Sequence, residues 1–286
     1  MSWITRIQSA IHGMLTAGRL GWAIESNWTD PTLFLTYQVV RPLFGALIIV
    51  FMFKVVTGQP ASDIAFAQLY VGNAFFILVI QAMTGVGQTI FEDREHYEMI
   101  RYIYLAPLGM GTYLVGRGLA KVFATTAAVA LTLLVGYAAF GISYSATWID
   151  IPYIVVAMIC GIAGMMAIGI MLAAVTMVTA QHGFGIAEGA SGLMFLLSGA
   201  VFSIDILPGW VAAIARAQPL TYWLEVMRRA LLHQPFIESL SAMSNAAMLW
   251  RLVWVTALTV TVAAVALKSA EWLALSTGKL DLKTAH

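Results

Sequence analysis

Six stretches of the chain, 42–56, 64–91, 112–142, 152–180, 184–204 and 247–267, are nearly unbroken runs of apolar residues. A helix of about 20 residues crosses the ~30 Å hydrocarbon layer, and lipid offers no partner to an unpaired backbone amide, so such runs form spanning helices. The pattern predicts an all-α integral membrane protein with six transmembrane helices. The first run is short and reaches full length only if 32–41 carries it on toward the headgroups.

Three further segments carry a mixed pattern. Within residues 1–31, Ile4, Ile7, Ile11, Met14, Leu15 and Trp22 recur at helical spacing, while Arg6, Ser9, His12, Thr16 and Arg19 fill much of the rest of the wheel. This predicts an amphipathic helix, either lying in the inner interface or solvated and packed on a partner. No compact apolar core precedes a small-residue cleavage site there, so a removable signal peptide is not expected.

Between the second and third runs, 92–105 holds the densest charge in the chain: Glu92, Asp93, Arg94, Glu95, Glu98 and Arg101. Tyr97, Ile100, Tyr104 and Leu105 are expected on one helical face opposite the carboxylates, with Pro107 as the boundary. The segment is either a short docking helix or a solvated turn that anchors the topology.

After the fifth run, about forty residues precede the sixth, too many for a structureless loop. Pro208 suits the first turn of a helix over 209–217, and Thr221 can cap another over 222–233. In the second, Glu225 precedes Arg228 and Arg229 by three and four residues, the spacing of neighbours on a helix surface. Neither piece can span, so 208–233 is expected to form external or re-entrant helices whose charges face water or one another.

Lysine and arginine set the orientation. Arg6, Arg19, Arg41, Arg94, Arg101, Arg117, Lys121, Lys268, Lys279 and Lys283 fall on one side, and Lys54, Arg216, Arg228, Arg229 and Arg251 on the other. The excess predicts a cell-membrane protein with both termini cytoplasmic. Trp148, Trp210, Trp223, Trp250 and Trp254 then gather at the outer headgroup level, where amphipathic rings settle.

Composition narrows the function. Of 286 residues 60% are apolar and 10% charged, whereas a soluble chain carries about 25% charged residues. The 15 basic and 14 acidic residues nearly cancel and form no basic patch, which sets nucleic acid aside as a partner. Cys160 stands alone, excluding a disulfide within the chain and a thiolate cluster for a metal. The histidines are dispersed, and Ser276-Thr277-Gly278-Lys279-Leu280 lacks the remaining residues of a phosphate-binding loop. No catalytic residue and no cofactor on this chain are expected.

Polar residues at membrane depth leave two uses open. Gln81, Thr84 and Gln88 form a stripe that either lines a translocation path or supplies interhelical hydrogen bonds. Glu188, with His182 one turn away, is either a relay or substrate contact, or a group in water at the inner end of its helix. Gly185 and Gly189 permit close helix packing, within the chain or across a dimer.

Phe195-Leu196-Leu197-Ser198-Gly199-Ala200-Val201-Phe202, then Leu207-Pro208-Gly209-Trp210, then Gln218-Pro219-Leu220-Thr221-Tyr222 with Arg228 or Arg229, resembles the closing signature of ABC-2-type exporter permeases. That family has Asn where this chain has Gln218. The stretch from Glu92 to Pro107 is similar to the family's segment between spans two and three, and the likeness covers almost the whole chain. It implies a permease that pairs with a second permease chain, as a homodimer, and binds two copies of a separate ABC ATPase holding ATP and Mg. It further implies that 92–105 is the coupling helix, 1–31 the interfacial gate helix, and 208–233, with Pro208, Trp210, Pro219, Tyr222, Glu225, Arg228 and Arg229, the re-entrant exit region. Glycan exporters of the family carry a basic Arg-Tyr stretch and Leu-Gly-x-x-Trp before the first span, where Glu25-Ser26-Asn27-Trp28-Thr29-Asp30-Pro31 stands here. The resemblance therefore favours export of a drug or lipid, with a lipid-linked polysaccharide as the alternative. A proton-coupled transporter is the remaining one, but inverted repeats and midplane charges are missing.

Overall fold

The computed structural model describes residues 3–26, 32–33, 36, 40–58, 63–106, 108–148, 150–179 and 183–278. Residues 27–31, Pro107, His182, Lys279 and Lys283 lie outside them, as do the side chains of residues 3–7, Arg41 and Lys54. Within them the regular structure is helical: α1 Trp3–Ser26, α2 Arg41–Thr57, α3 Ile64–Gly87, α4 Thr89–Glu95, α5 Ile100–Leu105, α6 Met110–Phe140, α7 Ile151–Val178, α8 Gly183–Leu197, α9 Gly209–Ala217, α10 Pro219–Leu232 and α11 Asn245–Thr277.

Local chemistry sets the ends. Asp63 and Ser244 cap α3 and α11 by accepting from the amides of Ala65 and Ala247. Gly141 and Gly278 close α6 and α11 in the left-handed region, at φ +68° and +66°. Pro219, which has no amide to leave unpaired, opens α10. Thr221 is not the cap: its hydroxyl donates back to the Ala215 carbonyl at 2.7 Å.

Among the described residues, four helices, α3, α6, α7 and α11, are long and apolar enough to cross a bilayer. At 31 and 33 residues, α6 and α11 measure about 46 and 50 Å, so each projects beyond the hydrocarbon layer. The other two expected spans are shorter. α2 has 17 residues and α8 has 15, roughly 26 and 22 Å of helix. α8 ends early because Gly199 turns left-handed at φ +75° and the Ser198 hydroxyl accepts from the Ala200 amide at 3.2 Å.

α3 is the centre, packed by α6, α7, α8 and α10. α11 lies on α7, and α1 runs along the first half of α6. A Cβ at Gly116 would fall 2.5 Å from the Met14 carbonyl oxygen, so only glycine lets α1 approach α6 so closely.

The chain between α3 and α6 departs from the sequence expectation. The continuous helix 92–105 is instead two pieces, α4 and α5, separated at Glu98, which takes φ +51°. Ile100 is buried while Tyr102 and Leu105 are 74% and 83% exposed, so Tyr97, Ile100, Tyr104 and Leu105 do not share one face.

The bundle has two distinct ends. Arg94, Arg101, Arg117, Lys121 and Lys268 collect at the α4–α5 end, and Arg216, Arg228, Arg229 and Arg251 at the α9–α10 end. Trp148, Trp210, Trp250 and Trp254 are exposed. Trp223 is not an interface anchor with them. It is fully buried, its ring seated on Gly161, where any side chain would collide with it.

Candidate functional site

At the α4–α5 end, the carboxylates of α4 turn inward. Glu92 accepts from Arg117 at 3.1 Å and from Lys121 at 3.2 Å, both on α6. Asp93, fully buried, accepts from the Tyr113 hydroxyl at 2.7 Å and lies 3.6 Å from Arg117. Burial pushes the Asp93 carboxyl up to about 6, against the opposing pull of Arg117. Arg94 pairs with Glu95 at 2.9 Å and donates to the Thr176 carbonyl on α7 at 3.3 Å. Lys121 is also 3.3 Å from Glu25. One ammonium thus joins α1, α4 and α6.

Of the sequence-predicted docking residues, Glu92, Asp93, Arg94, Glu95 and Ile100 belong to this packed interior or its edge, whereas Tyr97, Glu98 and Arg101 are exposed. Tyr102 and Leu105 extend that exposed surface. Tyr104 is half-buried beside Met177, and burial followed by the Glu271 carboxylate raises its phenol.

The α9–α10 end holds a second polar cluster. Glu225 and Arg229 form the ion pair that their spacing predicts, at 3.0 Å. Glu225 also accepts from the amides of Phe236 and Ile237, and Arg229 donates to the carbonyls of Leu240 and Met243. Arg228 is fully buried and donates to the carbonyls of Gln68, Gly199 and Ala200 at 2.8 Å each, with its guanidinium 4.0 Å from the centre of the Phe236 ring. It therefore ties α10 to α3 and to the turn that ends α8. Pro208 stands at the N-cap of α9, and Trp210 is 72% exposed on its first turn. Pro219 starts α10, and the buried Tyr222 donates to the Arg216 carbonyl at 2.9 Å. At the rim, Asp205 accepts from the Ser239 amide and from Arg216, while Asp150 pairs with His233 at 3.3 Å. These interactions fasten the connecting loops down.

Along the polar stripe, Thr84 returns its hydroxyl to the Ile80 carbonyl, Gln81 is half-buried, and Gln88 approaches Glu188 of α8 at 3.4 Å. Among the described residues of this set, Gln88 and Glu188 are the pair brought together. Around Gly185 and Gly189 the space is open. Among the described residues, no group of three or more His, Cys, Asp or Glu could hold a metal ion.

The sequence reading missed Glu25, Tyr113, Arg117 and Lys121 as partners of α4. A signal was there: Arg117 and Lys121 are spaced i, i+4 in an otherwise apolar run, so they need counter-charges. Which carboxylates answer them depends on packing over distances of 25 and 96 residues.

Residues 22–232 match the family model described as ABC-2 type transporter. No curated protein matches the chain. The match takes in α3, the α4–α5 segment and the helices α9 and α10 themselves, and on that extent the chain belongs to the ABC-2 type transporter family, as a membrane-embedded permease.

Proposed function

We propose that this chain is the permease of an ATP-driven exporter whose hydrolytic subunit docks on α5. The observation that carries the reading is the contrast within the α4–α5 segment: Tyr102 and Leu105 project from the bundle while α4 behind them is locked to α6, α7 and, through Lys121, α1. An apolar knob on a short helix suits a groove in a partner. A push on it reaches α1 and α6 through ion pairs instead of being lost in a loose loop, which is what shifting a two-state equilibrium requires. Family membership implies a separate ATPase.

In this reading the α4–α5 end is cytoplasmic, the apolar helices α2 and α8 complete six crossings with their neighbours, and α9–α10 form the re-entrant exit region. Two permeases and two ATPases assemble, with ATP and Mg bound on the ATPases. The cargo is a hydrophobic or amphipathic compound, such as a drug or lipid, in keeping with helices α3 and α8 that are mostly apolar and with Gln88 and Glu188, 3.4 Å apart, as the polar contact described between them.

The test is reconstitution with the ATPase that co-purifies. Tyr102→Ala with Leu105→Ser should abolish permease-dependent stimulation of hydrolysis while leaving the permease's melting temperature unchanged. Undiminished stimulation would overturn docking on α5. Transport that persists without any ATPase and collapses with the proton gradient would overturn the ATP-driven reading itself.

A further inference from the structure

A groove of about 680 Å³ opens between the first turns of α6 and the middle and later turns of α11, with α7 as its floor and its charged end near Tyr104 of α5. Its walls are apolar, including Val115, Ile162, Met166 and Ala264, except at one end, where Lys268 and Glu271 stand. These two are three residues apart on α11 and so share a face one turn apart. Neither forms an ion pair within 4 Å among the described residues, and Lys268 is exposed.

The groove's length and depth fit a lipid. From Val260 to Glu271 α11 advances about 16 Å, close to the roughly 15 Å of hydrocarbon in one leaflet. The depth follows from tryptophans on the same helix: Trp254 and Trp272 are 61% and 71% exposed and about 27 Å apart along the axis, the separation of two headgroup belts. Trp272 adjoins Glu271, so the charged end of the groove lies at headgroup level and the apolar end reaches toward the midplane.

We propose that this groove binds one acyl chain of a zwitterionic, ethanolamine-type phospholipid from the leaflet on the α4–α5 side, with its phosphate at Lys268 and its ammonium at Glu271. A purely anionic headgroup would meet the Glu271 carboxylate unfavourably. A choline headgroup has no N–H to donate to it. The paired charges thus match a lipid that carries both signs and a donor.

The full chain, delipidated in detergent and titrated with phosphatidylethanolamine, phosphatidylcholine and phosphatidylglycerol, should retain the ethanolamine lipid in native mass spectra about tenfold more tightly than the choline lipid. Glu271→Gln should remove that preference, and Lys268→Gln should weaken both lipids. Ala264→Trp, which fills an exposed part of the groove, should exclude them while leaving the melting temperature within a degree or two of wild type. Equal retention of ethanolamine and choline lipids by the wild type, or retention unaffected by Lys268→Gln, would overturn the site. A dimer that Ala264→Trp dissociates would mean that a second copy of the chain, not lipid, fills the groove.

Discussion

Lys121 and Glu92 are paired at 3.2 Å, and the same ammonium lies 3.3 Å from Glu25, so the segment between α3 and α6 is tied to the N-terminal helix through one side chain. Lys121 is 13% and Glu92 26% exposed, and each keeps a second partner when the other is removed, Glu25 for Lys121 and Arg117 for Glu92, so the loss should stay below the roughly 3 kcal/mol or more of a buried ion left alone. Glu92→Gln and Lys121→Met should each lower the melting temperature. The double variant should lose less than the sum, with a coupling of about 1 kcal/mol or more in a double-mutant cycle. Additive losses would show that the pair acts as separate charges and transmits nothing between α1 and α4.

Helices α9 and α10 were legible in outline because their signals are local. Pro208 marks the start of α9, and Glu225 and Arg229 meet at the spacing one helical turn dictates, whereas the sequence pattern places the start of α10 at Thr221, two residues after the Pro219 that opens it. The break at Glu98 was not legible, because a left-handed backbone at a glutamate has no compositional marker comparable to glycine. Nor was the inward turn of Asp93 and Arg94, since charge density alone suggests solvent and only packing against Tyr113, Arg117 and Thr176 reverses it. Trp223 was misplaced for a related reason: the space that accepts its ring is made by Gly161, far away in sequence.

Asp93 gives the protein a pH signature. Its carboxyl is raised from the ordinary 3.8 to about 6 by burial, so folding favours the protonated form. The corresponding stability is fully present below the unfolded value and is lost as pH rises through the folded one. In detergent, the wild-type melting temperature should fall between about pH 4 and pH 6 relative to Asp93→Asn, which keeps an acceptor for the Tyr113 hydroxyl but does not titrate. Parallel pH profiles for the two proteins would remove Asp93 as the source.

Gly72 and Arg228 are matched by shape. A Cβ at residue 72 would collide with the guanidinium that holds the carbonyls of Gln68, Gly199 and Ala200. Gly72→Ala should therefore displace Arg228 and lower stability by about 1–3 kcal/mol. Arg228→Ala should cost roughly 3 kcal/mol, chiefly by leaving buried carbonyls unpaired. Combined, they should cost less than their sum, because the added methyl enters space the arginine has vacated. Strict additivity in thermal unfolding would show that the two do not compete for that space.

The Glu225–Arg229 pair should matter to the loop beyond α10 more than to the helix itself. Glu225 accepts from the Phe236 and Ile237 amides, and Arg229 holds the Leu240 and Met243 carbonyls, so the pair organises residues 236–243 around two side chains of α10. An i, i+4 pair on a solvated helix contributes only about 0.3–0.5 kcal/mol. Here each charge also satisfies buried backbone groups. Glu225→Gln keeps an acceptor but removes the charge, and should speed amide hydrogen exchange at Phe236 and Ile237 while leaving α10 protected. If α10 exchanges as fast as the loop, the pair sustains the helix as a whole and the loop has no separate dependence on it.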